Sequence, residues 1–318
     1  MSDSDQDKAE KPVKLVHYTT AEAAYSILSQ GELWMRKVSL MSDFKEITFS
    51  IELMRNRFQR IQSLFSTEDF QNIIKQVQIQ KGLPQDQQDI CLKIFSHPEK
   101  IIEEIRRNLL PNIYIASFSI KSNEDTTFLG RLSMWRSYGG KASIAIVFND
   151  RFYTKLTKRS KIGSENYKIV CGQVFYFPDP ELDPFDPKSE NNLQEDLNIF
   201  KNLDPTSYPI LMKHEGFKEE SEWRFAVVVE KSQNQAHQIG RNVTLRKDLK
   251  VVRGIPQDII ILDFNPQEDI DYIIVGPTLD IDHAYAIQES FQKITYNNSC
   301  VFSDDRIHLS KIPLRMYG

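Results

Sequence analysis

The residues best suited to chemistry lie far apart in the chain. Glu220-Ser221-Glu222-Trp223-Arg224 opens a β-like run that ends at Glu230. Strand alternation places Trp223, Phe225, Val227 and Val229 on one face, the core face, and Glu222, Arg224, Ala226 and Val228 on the other. An arginine beside a carboxylate keeps it ionised near neutrality, a condition suited to stabilising a developing cation. The plainer alternative is a surface Glu–Arg pair of little energetic weight. About two hundred residues earlier, His17-Tyr18-Thr19 closes the apolar run Val13–Val16 and leads into Thr19-Thr20-Ala21-Glu22. That segment predicts a helix with Thr19 as N-cap and Glu22 as the reciprocal acceptor of a capping box. Ala24, Ile27 and Leu28 share its inner face, and Gly31 stops it. A histidine where a strand end meets a helix N-terminus adjoins backbone N–H groups and a positive dipole end, which suit an anionic or polar ligand.

A third group lies between these two. Ser117-Phe118-Ser119 ends a strand, and Met134-Trp135-Arg136-Ser137-Tyr138 follows before Gly139-Gly140. If that segment is helical, Trp135 and Tyr138 sit at i and i+3. Aromatics so placed either wall a planar ligand ring or fill a core. The glycine pair has neither P-loop nor dinucleotide-fingerprint spacing and reads as a helix end turning into the next strand. His97, His237, His283 and His308 have no companions at ligand spacing, so no metal site is expected. No nucleophile elbow accompanies the serines.

The elements that must position these groups are short. Asn112–Ile120, Ala142–Phe148, Lys168–Phe177, Glu222–Glu230, Asp258–Phe264 and Asp271–Val275 read as strands, as does Leu33-Trp34-Met35 after the first helix. From about 44 to 110 the pattern is helical, with one stripe at Phe70, Ile73, Ile74 and Val77 and another at Ile101, Ile102, Ile105 and Leu109. Helices are also expected near 190–202 and 205–216, and a last one carries Ala284, Ile287, Phe291 and Ile294. The lack of regular βαβ alternation argues against a doubly wound parallel sheet. The reading is an α+β fold in which 1–12 form a disordered lead and 13–318 a single domain with a helical insertion at about 44–110.

Composition narrows the class. The chain has 318 residues, is 40% hydrophobic and carries a net charge of −4, with three cysteines and no long basic tail. Nucleic-acid binding driven by overall charge is disfavoured, although Arg151 to Lys161 is a local basic run, read as a patch or as a solvated loop or helix face. Three distant cysteines without a CxxC pair predict a reducing, cytoplasmic setting. A polar start and the lack of eighteen consecutive apolar residues predict no signal peptide and no membrane span.

Taken in order, His17-Tyr18-Thr19, Ser42-Asp43-Phe44-Lys45-Glu46, Met134-Trp135 with Tyr138, Phe217 with Glu220-Ser221-Glu222-Trp223-Arg224, and Val275-Gly276-Pro277 resemble a widespread bacterial family of unknown function. Ser42 and Phe44 depart from it, because the family usually has Asn and Pro there. The layout is also similar to ADP-ribosyltransferases of the His-Tyr-Glu type, and so implies an ADP-ribosyltransferase-like fold of mixed, mostly antiparallel sheets. On that resemblance NAD is the substrate. His17 holds a ribose hydroxyl, the Tyr18 backbone reads the carboxamide, Tyr138 stacks on nicotinamide, and Glu222 is the catalytic acid. Glu220 is the first acid of a Glu-x-Glu pair, while Thr19, Ser119, Trp135 and Arg224 complete the NAD site. The implied reaction is ADP-ribosyl transfer to an unspecified protein or nucleic acid, or NAD glycohydrolysis, with no metal. Two other readings stand beside it. One is a non-catalytic module that binds a nucleotide or a protein. The other is an RNA 2′-phosphotransferase-like enzyme, against which Glu222 counts.

Overall fold

A computed structural model of the chain describes residues 13–41, 44–64, 66, 68–69, 72, 97–121, 127–138, 142–160, 167–179, 208–229, 237–238, 244–252, 254–278 and 280–312. The first apolar run is strand β1 (Lys14–Thr20), which passes directly into helix α1 (Ala21–Gln30). Thr20, not the predicted Thr19, is the N-cap, and its Oγ1 accepts from the Ala23 amide at 3.3 Å. The helix starts late because β1 keeps its pairing with Ser143–Phe148 as far as Thr20↔Ser143. Gly31 ends α1 at φ 67°, where a Cβ would lie 2.6 Å from the Phe264 carbonyl oxygen. Only glycine fits that left-handed, crowded position.

The chain continues through β2 (Glu32–Lys37), α2 (Phe44–Leu64), α3 (Pro98–Glu104), β3 (Ile113–Lys121), α4 (Leu132–Tyr138) and β4 (Ser143–Phe148). Next come α5 (Asp150–Ser160), β5 (Tyr167–Gln173), β6 (Phe175–Phe177), β7 (Met212–His214) and β8 (Glu222–Val229). The last part holds β9 (His237–Gln238), β10 (Thr244–Val252), β11 (Ile255–Asp263), α6 (Pro266–Asp269), β12 (Ile270–Val275), α7 (Ile281–Gln292), β13 (Thr295–Tyr296), β14 (Ser299–Cys300) and β15 (Ile307–Leu309).

Several predicted elements change. The predicted strand Lys168–Phe177 breaks at buried Val174, whose amide donates to the Glu222 carbonyl. Beyond it β6 leaves β8 and pairs in parallel with β7. The helix predicted near 205–216 is a 3-10 turn at Tyr208–Leu211 followed by β7. The basic run after Arg151 lies largely on α5, which buries Phe152, Tyr153 and Leu156. The lead 1–12, the Phe70–Val77 stripe, the helix near 190–202 and Gly139-Gly140 lie outside the described residues.

Among the described residues eleven strands form one mixed, mostly antiparallel sheet, and β3 is its branch point. Along one edge β3 pairs with β8 from Ile113↔Val228 to Ser119↔Glu222, and β8 pairs onward with β5. On its other edge β3 holds two strands at different heights. It pairs with β1 from Lys14↔Lys121 to Val16↔Ser119, and with β2 at Arg36↔Ile115 and Lys37↔Tyr114. The sheet runs outward from β1 through β4, β12 and β15, and from β2 through β11, β10 and β9. Between the two ladders, at Ala116–Phe118, neither β1 nor β2 pairs with β3, and among the described residues this stretch of edge is a gap in the sheet's pairing.

Opposed residues in an antiparallel pair share a face. Leu15, Phe118, Trp223 and Phe225 therefore join one core, packed with buried residues of α1, α5 and α7. Among the described residues the opposite face carries two separate apolar clusters. One, with α4, contains Val16, Tyr18, Trp135 and Ala145. The other, with the helical insertion, contains Ile51, Ile102, Ile105, Ile115 and Ala226. Ser117, Ser119, Glu222 and Arg224 lie on that face between the two clusters.

Gly276 joins α4 to the sheet. Its amide donates to the Ser143 carbonyl at 2.7 Å, and an added Cβ would lie 2.3 Å from Ser143 Oγ and 2.9 Å from the Trp135 ring. Overpacking of this kind typically costs about 1–3 kcal/mol. Gly276→Ala is expected to lower the urea midpoint with an unchanged m-value, whereas an unchanged midpoint would contradict this packing.

Candidate functional site

Glu222 and Arg224 are not the surface pair that stood as the plainer alternative. They are 4% and 2% exposed. Alternation is correct about which face they occupy, but residues 208–220 and α2 cover that face. Arg224 donates from Nε to Glu222 Oε1 at 2.7 Å and from Nη2 to Oε2 at 3.0 Å, while Nη1 is anchored on the Ile210 carbonyl at 2.8 Å. Lys213, 1% exposed, lies on β7 and donates to Glu222 Oε2 at 3.1 Å and to Glu220 Oε2 at 2.8 Å. Two cations thus meet two carboxylates in a space nearly closed to water.

Burial alone pushes the Glu222 carboxyl up. The charges of Arg224 and Lys213, then hydrogen bonds from Arg224 and Ser117, outweigh burial and bring it down to about 2. The Ser117 hydroxyl lies beside this carboxylate and makes only a weak polar contact with it. The Tyr176 hydroxyl accepts from the Glu222 amide at 2.7 Å, and its own pKa is raised mainly by burial.

His17, Tyr18 and Thr19 lie on β1, alongside the unpaired stretch of β3. Ala21 N donates to Ala142 O, and Ile120 N donates to Ser221 O. Counting alternately along each strand from these bonds, His17 and Thr19 direct their backbone groups to β4, whereas Tyr18 directs its own towards β3. Ser117 directs its backbone towards β1. The two strands no longer pair there, and His17 Nδ1 bridges to the Ser117 carbonyl at 3.1 Å. Burial lowers the His17 pKa, and the Ser117 carbonyl only partly offsets this, so the ring is neutral at pH 7. His17 touches the Phe118 ring, on the face opposite Glu222. His17 and Glu222 thus lie on opposite faces of the sheet with Ser117 between them, its carbonyl bonded to the one and its hydroxyl near the other.

Arg131 ties the pieces together. Its amide donates to the Tyr18 hydroxyl at 3.0 Å, Nη1 to the Glu219 carbonyl at 2.7 Å and Nη2 to the Ile120 carbonyl at 2.8 Å. Ser119 is buried and donates to the Glu220 carbonyl at 2.8 Å. Trp135 is buried against Tyr18, with ring centroids 4.8 Å apart, and bonds through Nε1 to the Leu129 carbonyl, which is the core role for this residue. Tyr138, at the end of α4, is 39% exposed. Sequence reasoning gave no role to Lys213, Arg131 or Tyr176, and named Ser117 only as part of a strand end. Their bonds to the acids and to Tyr18 are set by chain crossings that no local pattern announces. Among the described residues no three His, Cys, Asp or Glu side chains gather to hold a metal ion, and no helix is long and apolar enough to cross a membrane.

Residues 134–225 match a family described as protein of unknown function (DUF2971). The match agrees with the family of unknown function expected from the motifs. It covers α4 through the start of β8, so it includes Lys213, Glu220, Glu222 and Arg224 but not His17. No curated protein and no solved structure matches the chain.

The site should govern acid stability. Glu222 has a folded value of about 2 against an ordinary 4.5, so its stabilisation is complete above 4.5 and is lost as pH falls towards 2. That shift corresponds to roughly 3 kcal/mol. His17, lowered from 6.5, favours its neutral form, so its share is complete above 6.5 and is lost as pH falls below that value. Urea titrations should show a first decline beginning near pH 6.5 and a second below pH 4.5. His17→Gln should weaken the first and spare the second; an unchanged first decline would contradict the burial of this ring.

Proposed function

We propose that the gap between β1 and β3 binds NAD, and that the chain transfers its ADP-ribose or hydrolyses it. One observation carries this reading. The three segments that resemble an NAD site, separated by about one and two hundred residues in sequence, lie on adjacent strands β1, β3 and β8. They meet where the β1–β3 ladder ends at Val16↔Ser119.

In this reading the backbone of Tyr18 reads the carboxamide, His17 holds a ribose hydroxyl, and Tyr138 stacks on nicotinamide. Thr19 and Ser119 border the site, Trp135 supports Tyr18, and Arg224 with Lys213 keeps Glu222 ionised. The nicotinamide–ribose bond breaks with its electron pair going to nicotinamide, which leaves neutral. The sugar develops oxocarbenium character, and the Glu222 carboxylate stabilises that charge. Water or an acceptor group then bonds to the sugar carbon and loses a proton, for which Glu220, more accessible than Glu222, is the nearby base.

A second reading rests on the burial of Glu222. With both oxygens engaged, the cluster would be structural and the protein a nucleotide- or protein-binding module. Turnover separates the two. Purified protein given NAD is expected to release nicotinamide, and Glu222→Gln to lower that rate on the order of 10²–10³-fold. Because Gln leaves two buried cations short of charge, the variant will also melt lower, so rates must be compared well below its melting temperature. Wild-type protein that neither releases nicotinamide nor labels a macromolecule in cell extract would leave the binding-module reading. Undiminished release by Glu222→Gln would remove Glu222 from the mechanism.

A further inference from the structure

Arg224 already satisfies both oxygens of Glu222 and neutralises its charge. Burying a second cation beside that pair requires desolvating it, which is unfavourable unless it makes further bonds. Lys213 does so by reaching out of the pair. Its ammonium binds Glu220 at 2.8 Å as well as Glu222 at 3.1 Å. The Phe217 ring covers it with its centroid 4.6 Å away, and that ring is itself 43% exposed. The lysine backbone is held independently of the acids. Lys213 is paired with Tyr176 between β7 and β6, and the preceding carbonyl, that of Met212, accepts from Ser50 Oγ of α2 at 3.2 Å.

We infer that Lys213 is a positioning residue that binds Glu220 and Glu222 into one oriented pair of acids beside the gap. What the pair does there rests on the NAD reading; that Lys213 makes it a pair does not. Glu220 belongs to the 3-10 turn Glu215–Glu220, and Ser221, at φ 42°, separates that turn from β8. Glu220 and Glu222 are two residues apart and both negative, so without a shared cation they repel. With Lys213 between them, the turn and the strand present their carboxylates together. Among the described residues the charged and titratable groups around the ammonium include Glu220 from the turn, Glu222 and Arg224 from β8, and Tyr176 from β6.

The test uses the full chain and three variants: Lys213→Met, which removes the charge, Lys213→Arg, which keeps it, and Lys213→Gln, which substitutes if the Met variant folds poorly. Carbon-13 titration of glutamate carboxyls, assigned with Glu220→Gln and Glu222→Gln, reads the pair without any turnover. In Lys213→Met both carboxyls should titrate about one pH unit or more higher, and Lys213→Arg should restore them. In the nicotinamide-release assay Lys213→Met should lower kcat with little change in KM and move the acid limb of the pH profile upward by the same amount. Carboxyl titrations unmoved by Lys213→Met in a folded protein would overturn the proposal. Wild-type protein that releases no nicotinamide would overturn the NAD reading alone, and the titration would still decide the role of Lys213.

Discussion

An ionised carboxylate held almost out of water is the constraint to which the middle of this fold answers. Glu222 is stable there only because Arg224 and Lys213 approach it with correct geometry, and both need support of their own. Arg224 needs the Ile210 carbonyl, and so the 3-10 turn at Tyr208–Leu211. Lys213 needs β7, which exists because β6 leaves the main sheet at Val174 to pair with it. The helical insertion closes the layer from outside, with Ser50 on the Met212 carbonyl. Removing one partner from such a cluster typically costs about 3–5 kcal/mol, because the remaining charge stays buried. The segment 208–224 is thus held as a unit by charge as much as by apolar packing.

The second organising feature is β3. By pairing with β8 along one edge and with both β1 and β2 on the other, it must leave part of that edge without a strand. Backbone groups at such a position need partners, and the His17 ring supplies one by reaching the Ser117 carbonyl. The gap and the acid cluster lie beside each other because Ser117 and Ser119 stand opposite Arg224 and Glu222 in the β3–β8 register. The register thus sets a stretch of β3 edge, with the Ser117 backbone, next to a buried cluster of two acids and two cations.

Much of this was legible in the chain, for identifiable reasons. Period-two alternation in β8 correctly assigned Trp223, Phe225 and Val227 to the main core, and the spacing of Ala24, Ile27 and Leu28 with Gly31 described α1 closely. Alternation tells which face a side chain takes but not what covers that face. A surface pair therefore stays open for Glu222 and Arg224 in the sequence, because the layer that buries them is contributed by a turn and a three-residue strand too short to show a period. Strand β10 was missed because Arg246, Lys247, Asp248 and Lys250 hide its apolar residues. Its pairing with the strongly apolar β11 holds it in the sheet. Lys213 stood in view within Lys213-His214-Glu215-Gly216-Phe217, yet nothing local connected it to Glu222.

The central claim is that the gap beside β3 and the Glu222 cluster form one NAD site. A crystal structure of the protein with a non-hydrolysable NAD analogue tests it most directly. The account predicts the carboxamide against the Tyr18 backbone between β1 and β3, and the nicotinamide ribose on the Glu222 side of Ser117. An analogue bound elsewhere, or no binding while the Lys213–Glu222–Arg224 cluster stays closed, would contradict it.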